Sequence, residues 1–385
     1  MADSGSQQTL TKPPQRLVFL DVVRGLTVAF MILVNNNGSE RLAYAPLKHS
    51  AWNGCTPTDL VFPTFLFLVG IAIVFSTASR VSRGETKRVL LMHAFRRAAI
   101  IFVISLVVHG FPDYPLATMR VYGVLQRIAI CYLIATILYL WDRRVVTLIS
   151  VAAACLLGYW ALLRWVPVPG FGMPKRDIPF LDRYMNLDAV VDRRLFPTRL
   201  DEGVFDPEGL LSNIPALATC LCGVLTGLWL RTGKRMITKA AGMLAASLAG
   251  LALGSIWGIW FPINKRMWTS SYVLFAAGWT LLALALSYFL IEMKKQRGAW
   301  TYPWKAFGSN ALFSYALSEL LSSTLDHIHI AANGQTISLQ DLIYTRVFSP
   351  IVSPSFGSLL YSLSFVLVCF VPAAFLFRKQ IFIKV

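Results

Sequence analysis

His49 and Asp59 stand ten residues apart in KHSAWNGCTPTD, a segment that also carries Lys48, Trp52 and Asn53. An imidazole with an ordinary pKa near 6.5 accepts a proton at neutral pH, and a carboxylate partner fixes its tautomer and raises its basicity. A lone loop histidine is often structural, so the loaded flanks are what give this one a catalytic reading. Just upstream, Asn35, Asn36 and Asn37 precede Gly38. Three successive amides either cap a helix end or leave one free to donate to a carbonyl or oxyanion.

Other ionisable residues interrupt apolar runs, where a charge costs several kcal/mol and must find a partner or a watery cavity. Asp21 and Arg24 in LDVVRG share a helix face, as a stabilising ion pair or with Arg24 turned towards an anionic cofactor. Gln126 and Arg127 open another run in GVLQR, and Arg127 needs an anion or carbonyls. Lys265 and Arg266 in FPINKRMW oppose the charge trend of their side; a phosphate or carboxylate ligand, or acids of the long loop, would explain them. Asp206 and Glu208 in FDPEG suit an ammonium-bearing acceptor, or else a helix N-terminus. Ser309 and Asn310 follow Gly308 in FGSN, where glycine permits close approach of a backbone or a ligand, and Glu319 lies further along the same run. His327 and His329 are too weak a pair to indicate a metal, and none is expected.

These residues are set in a chain of 385 with 56% hydrophobic and 14% charged residues, against about 25% charged in a soluble domain. About 20 apolar residues cross a bilayer as a helix. Ten stretches qualify, near 17–36, 58–79, 91–110, 123–141, 145–165, 213–231, 237–259, 271–291, 305–324 and 356–377. The predicted fold is an all-α polytopic membrane protein with both termini cytoplasmic, a short polar tail over 1–15 and one membrane domain over 16–385. A long external loop, 166–212, joins spans five and six, and its prolines and aromatics predict an ordered lid. The polar residues 1–15 and the full-length first span predict that no leader is cleaved there. Of six cysteines only Cys55 falls in a loop, so neither a disulfide framework nor a zinc pattern follows.

The net charge of +17 is an orientation signal. On the predicted cytoplasmic side 21 Lys and Arg face four acids, including the run from Arg80 to Arg97, whereas the other side has 13 against 12. That asymmetry is the positive-inside rule, and it leaves nucleic-acid binding without support.

Taken in order, LDVVRG, VNNNG, KHSAWNGCTPTDLVFPTFLFLVG, GVLQR, FDPEG and NKRMWTSSYV resemble the membrane domain of the heparan-α-glucosaminide N-acetyltransferase family, over roughly residues 16–325. The resemblance implies a membrane enzyme that carries acetyl from cytosolic acetyl-CoA to an amino sugar across the bilayer. It implies that His49 is the catalytic histidine, Asn35 the catalytic amide and Asp59 their neighbour. Arg24, Gln126, Arg127, Lys265, Arg266, Ser309 and Asn310 become cofactor candidates, and Asp206, Glu208, Trp52 and Asn53 acceptor candidates. The short tail ahead of the first motif points to a bacterial-type inner-membrane enzyme acting on glucosamine or a small fragment, and the family suggests a homodimer, although no GxxxG face argues for one. His49 acts either as a general base or as an acetyl-carrying nucleophile. A proton-coupled sugar or organic-anion transporter and a membrane O-acyltransferase of a surface glycan are the rival readings.

Overall fold

A computed structural model describes residues 17–332, 335–351 and 353–383. The tail 1–15, Arg16 and Lys384 lie outside the described residues. Thirteen helices follow in order: α1 Val18–Asn35, α2 Val61–Val81, α3 Lys87–Gly110, α4 Val124–Trp141, α5 Val145–Trp165, α6 Leu187–Leu195, α7 Asn213–Arg231, α8 Met236–Gly258, α9 Ser270–Ser287, α10 Tyr302–Ser309, α11 Ala311–His327, α12 Leu339–Ile343 and α13 Pro354–Arg378. A small antiparallel hairpin, β1 His329–Ala332 and β2 Gln335–Ser338, joins α11 to α12.

Nine helices among the described residues are long and apolar enough to cross a bilayer, and the protein is an all-α, multi-pass membrane protein. They are α1 to α5, α7, α8, α9 with its π-helical extension Tyr288–Met293, and α13. The tenth predicted stretch, 305–324, is divided. The chain leaves helical geometry at Asn310, whose side chain donates to the Ile381 carbonyl (3.0 Å) and accepts from the Ile383 amide (2.8 Å). Hydropathy cannot see that break, because the apolar run continues through it. Helix α3 starts a turn earlier than its apolar stretch, at Lys87, where the Thr86 hydroxyl accepts from the Val89 amide.

Burial sorts the bundle. In α1 and α7, 67% of the span window is buried, against 22% in α5 and 17% in α8, whose apolar outer faces suit lipid. Two glycine contacts bring inner helices to backbone distance. A Cβ on Gly70 of α2 would lie 2.0 Å from the Cys220 carbonyl of α7, and one on Gly308 of α10 would lie 2.0 Å from the Asp21 carbonyl of α1. The start of α1 is held as well, since the Phe19 amide donates to buried Glu292 at the end of α9 (3.1 Å). The first turn of α1 is thereby fixed, just ahead of Arg24, and the same helix ends at Asn35.

The short basic connections gather at one end of the bundle, called here the basic face; the opposite end holds the long loop. Segment 166–212 packs down on that end. Its α6 is capped by Asn186, which accepts from Ala189 N (2.8 Å), and the Trp52 indole donates to the Leu181 carbonyl (2.9 Å) with its ring edge-on to Phe205.

Candidate active site

Two cavities open on α1. The one at the long-loop end measures about 970 Å³ and is lined by Asn35, His49 and Glu319 among others. His49 Nδ1 lies 2.6 Å from Asp59 Oδ1, and the ring is about a third exposed while the carboxylate is buried. The backbone amides of Ser50 (3.1 Å) and Thr56 (2.9 Å) both point at Asp59 Oδ2. Amides can only donate, so both use lone pairs of Oδ2, and as a carboxylate Asp59 keeps Oδ1 as an acceptor for the imidazole. The remaining oxygen then accepts from Nδ1–H, which leaves Nε2 with the lone pair a base requires. The loop that delivers His49 is pinned to Asp59 at three points. Its Cys55 thiol is pushed up to about 12 by burial and by the nearby Asp59 charge, so it stays protonated.

The three amides divide their work. Asn36 donates to the Ile32 carbonyl (2.8 Å) and Asn37 to the Val34 carbonyl (3.0 Å), closing the end of α1. Asn35 instead reaches across to α11, where its Nδ2 donates to Glu319 Oε1 (3.3 Å). An amide nitrogen carries two hydrogens, so the second remains for a ligand oxygen.

The second cavity, about 570 Å³, lies towards the basic face between α1, α2, α3, α4, α10 and α11. Arg24, Arg80, Arg96 and Arg97 line it together with His93, and among the described residues no carboxylate lines it. Arg24 donates to the Gly308 carbonyl (3.2 Å) and pairs with Asp21; Arg80 pairs with Glu85 (3.0 Å). Arg97 stacks over Tyr132, 4.9 Å from the ring centroid, and its buried Nε has no hydrogen-bond partner among the described residues; neither has the hydroxyl of Ser309, also in the lining.

The cavities lie on one track. Arg24 and Asn35 are 11 residues apart, which is three helical turns, so they share a face of α1 roughly 16 Å apart. Leu312 lines the basic cavity and Glu319 the other, seven residues along one face of α11. Between them on these two stripes sit Met31 and Tyr315, both in the central hydrophobic cluster.

The remaining predicted site residues line neither cavity. Arg127 is fully buried, 4.8 Å over the Trp268 ring, and bonded to the Ser212 hydroxyl. Gln126 accepts from the Ser105 hydroxyl (2.5 Å). Lys265 approaches Glu208 (3.9 Å) and Arg266 pairs with Glu202, the long-loop acids that were the alternative to a ligand. Asp206 and Glu208 grip Arg120, each with a 2.6 Å contact, and Lys265 and Arg120 hold the Glu208 carboxyl at about 2 although burial opposes it. Asn53 accepts from Asn264 (3.2 Å), while Trp52 and Asn310 make the packing contacts described above. These residues brace the loops around the site. From the sequence, Arg120 and His93 draw no site reading, and Arg80, Arg96 and Arg97 enter only as topology; the i, i+3, i+4 spacing of His93, Arg96 and Arg97 on α3 is the signal that marks a shared face.

Compared with known proteins, residues 16–252 match the family described as heparan-alpha-glucosaminide N-acetyltransferase, catalytic. The chain belongs to this family. It is 29% identical over 265 residues to the mouse heparan-alpha-glucosaminide N-acetyltransferase and 29% identical over 262 residues to the human one. Each match covers 57% of this chain and about two fifths of the relative, 40% of the mouse and 39% of the human protein. Arg24, Asn35, His49, Asp59, Arg96 and Arg97 fall within the matched family segment, whereas Glu319 and the broken α10–α11 pair lie beyond it.

Proposed function

We propose that this protein is a transmembrane N-acetyltransferase that takes acetyl from acetyl-CoA at the basic face and delivers it to the amine of a glucosamine-type sugar at the long-loop end. The observation that carries the reading is the pair of cavities on one face of α1, cationic at one end and bearing the His49–Asp59–Asn35 group at the other. The positive-inside rule puts the basic face, and both termini, in the cytoplasm, where acetyl-CoA is made; a bacterial-type inner membrane fits this topology. The relatives are named for an α-glucosaminide acceptor.

Arg24, Arg80, Arg96, Arg97 and Ser309 would hold the phosphates of CoA by charge and hydrogen bonds. The thioester then reaches inward along α1 past Met31 and Tyr315 towards Asn35, over a length that suits the extended pantetheine arm. At the far end His49 Nε2 removes a proton as the acceptor nitrogen attacks the carbonyl carbon. The free Asn35 N–H stabilises the oxyanion, an interaction worth on the order of 3 kcal/mol. Collapse of the tetrahedral intermediate breaks the C–S bond, and the CoA thiolate leaves with the electron pair. Asp59 keeps the imidazolium in place through the cycle.

The test is turnover by purified protein in nanodiscs: acetyl-CoA and glucosamine should yield N-acetylglucosamine and free CoA in equal amounts. Transport of labelled sugar into vesicles without acetylation would replace this reading with the transporter, and acetyl on a hydroxyl would make it an O-acyltransferase. Parallel double-reciprocal plots together with isolated acetyl-His49 would replace direct transfer by a two-step route through the imidazole.

A further inference from the structure

The lining of the long-loop cavity carries a charge pattern that the acetyl-transfer scheme does not use. Four carboxylates, Glu40, Asp201, Glu319 and Asp341, face it against one ammonium, Lys48, beside His49. Lys48 is turned aside, since its Nζ donates to the Arg41 carbonyl (2.6 Å). Asp201 is matched by Arg120 (3.1 Å), which leaves Glu40, Glu319 and Asp341 without a salt-bridge partner among the described residues. The carboxylates are also graded in depth. Glu40 and Asp341 are exposed, whereas Glu319 is half-buried and touches Asn35.

We infer that this cavity selects its acceptor by positive charge, taking small amino sugars that carry no sulfate, phosphate or carboxylate and drawing them in ammonium end first. The inference rests on the N-acetyltransferase reading and names the acceptor class of that same site. Exposed Glu40 and Asp341 attract a cation by long-range steering, which acts on the association rate and is weakened by salt. Half-buried Glu319 then holds the ammonium next to His49; the ammonium releases one proton to solvent, and the free amine gives its second to His49 as it attacks. A sulfate or phosphate on the same ring would meet carboxylates at every depth, and like charges brought together disfavour such a partner strongly. A volume of about 970 Å³ suits one or two sugar rings.

The experiment compares kcat/KM of the purified full chain for glucosamine, glucosamine 6-sulfate and glucosamine 6-phosphate, with acetyl-CoA saturating. Glucosamine should be preferred at least tenfold at low ionic strength, and the preference should shrink severalfold in 1 M NaCl. The double variant Glu40→Gln/Asp341→Asn should narrow the gap by raising relative use of the anionic sugars. Because each value is a ratio within one protein sample, partial loss of folded enzyme cancels. Equal use of the three sugars by the unaltered protein overturns the charge selection and leaves the acetyltransferase intact. Failure to acetylate any amine overturns the function itself, and this inference with it.

Discussion

The two cavities on α1 are built from opposite materials. Towards the basic face, guanidinium groups from α1, α2 and α3 surround an apolar interior with no carboxylate in the lining among the described residues; at the long-loop end, carboxylates surround a histidine and an amide. The first is made by rigid helices and the second largely by loops. In the proposed scheme, a donor that is always a polyanion is held by fixed, permanently charged groups. The chemical step of that scheme needs a proton acceptor whose charge changes, and the group proposed for it, His49, is carried on a loop pinned by Asp59.

The largest expected effect breaks this division at the chemical end. His49→Ala should lower kcat by about 10² to 10⁴, the usual contribution of a positioned base, while acetyl-CoA binding stays within about twofold. Stopped-flow binding and steady-state rates on the same sample separate the two. Normal turnover by the variant would remove His49 from the mechanism in either form.

Asn35→Ala comes next, with an expected loss of about 10² to 10³ in kcat and little change in either KM, the signature of an interaction made in the transition state. A loss confined to the amine's KM would make Asn35 an acceptor-binding group only. The donor cavity gives the smaller, converse result. Arg96→Ala and Arg97→Ala should each raise KM for acetyl-CoA about tenfold, with kcat nearly unchanged and weaker inhibition by CoA. Unaltered KM would mean that the α3 cations serve orientation alone.

These contrasts explain what could be read from the sequence. Nine of the ten apolar stretches correspond to long single helices because lipid enforces internal hydrogen bonding on any segment of that length. The tenth failed as one helix because Asn310 answers to Ile381 and Ile383, a contact about 70 residues away that no local pattern announces. His49 and Asp59 could be paired from their spacing and loop composition. Asn35 and Glu319, 284 residues apart, could not. The basic cavity stayed hidden for another reason: arginines at helix ends satisfy the topology rule so completely that a second use leaves no trace in composition. Lys265 and Arg266 illustrate the reverse, since breaking the rule marked them for a ligand although long-loop acids account for them.

The smallest effect separates the two ends by pH. Guanidinium groups stay charged throughout the accessible range, so the arginines of the basic cavity contribute no titration. The loop scaffold does. Glu208 titrates at about 2 in the fold against an ordinary 4.5, because Lys265 and Arg120 outweigh its burial. A lowered folded value means stability that is complete above about pH 4.5 and lost as pH falls towards 2. Asp192 is displaced the other way, up to about 6 from 3.8, chiefly by burial. Its ionisation therefore costs stability, and that cost grows as pH rises from about 4 to 6. Melting temperature followed across pH should accordingly show two opposed limbs of a few degrees each. Glu208→Gln should flatten the one below pH 4.5 and Asp192→Asn the one above pH 4. If both variants keep the unaltered profile, the titrating groups lie elsewhere and the ion cluster around Arg120 does not tie the long loop to the bundle.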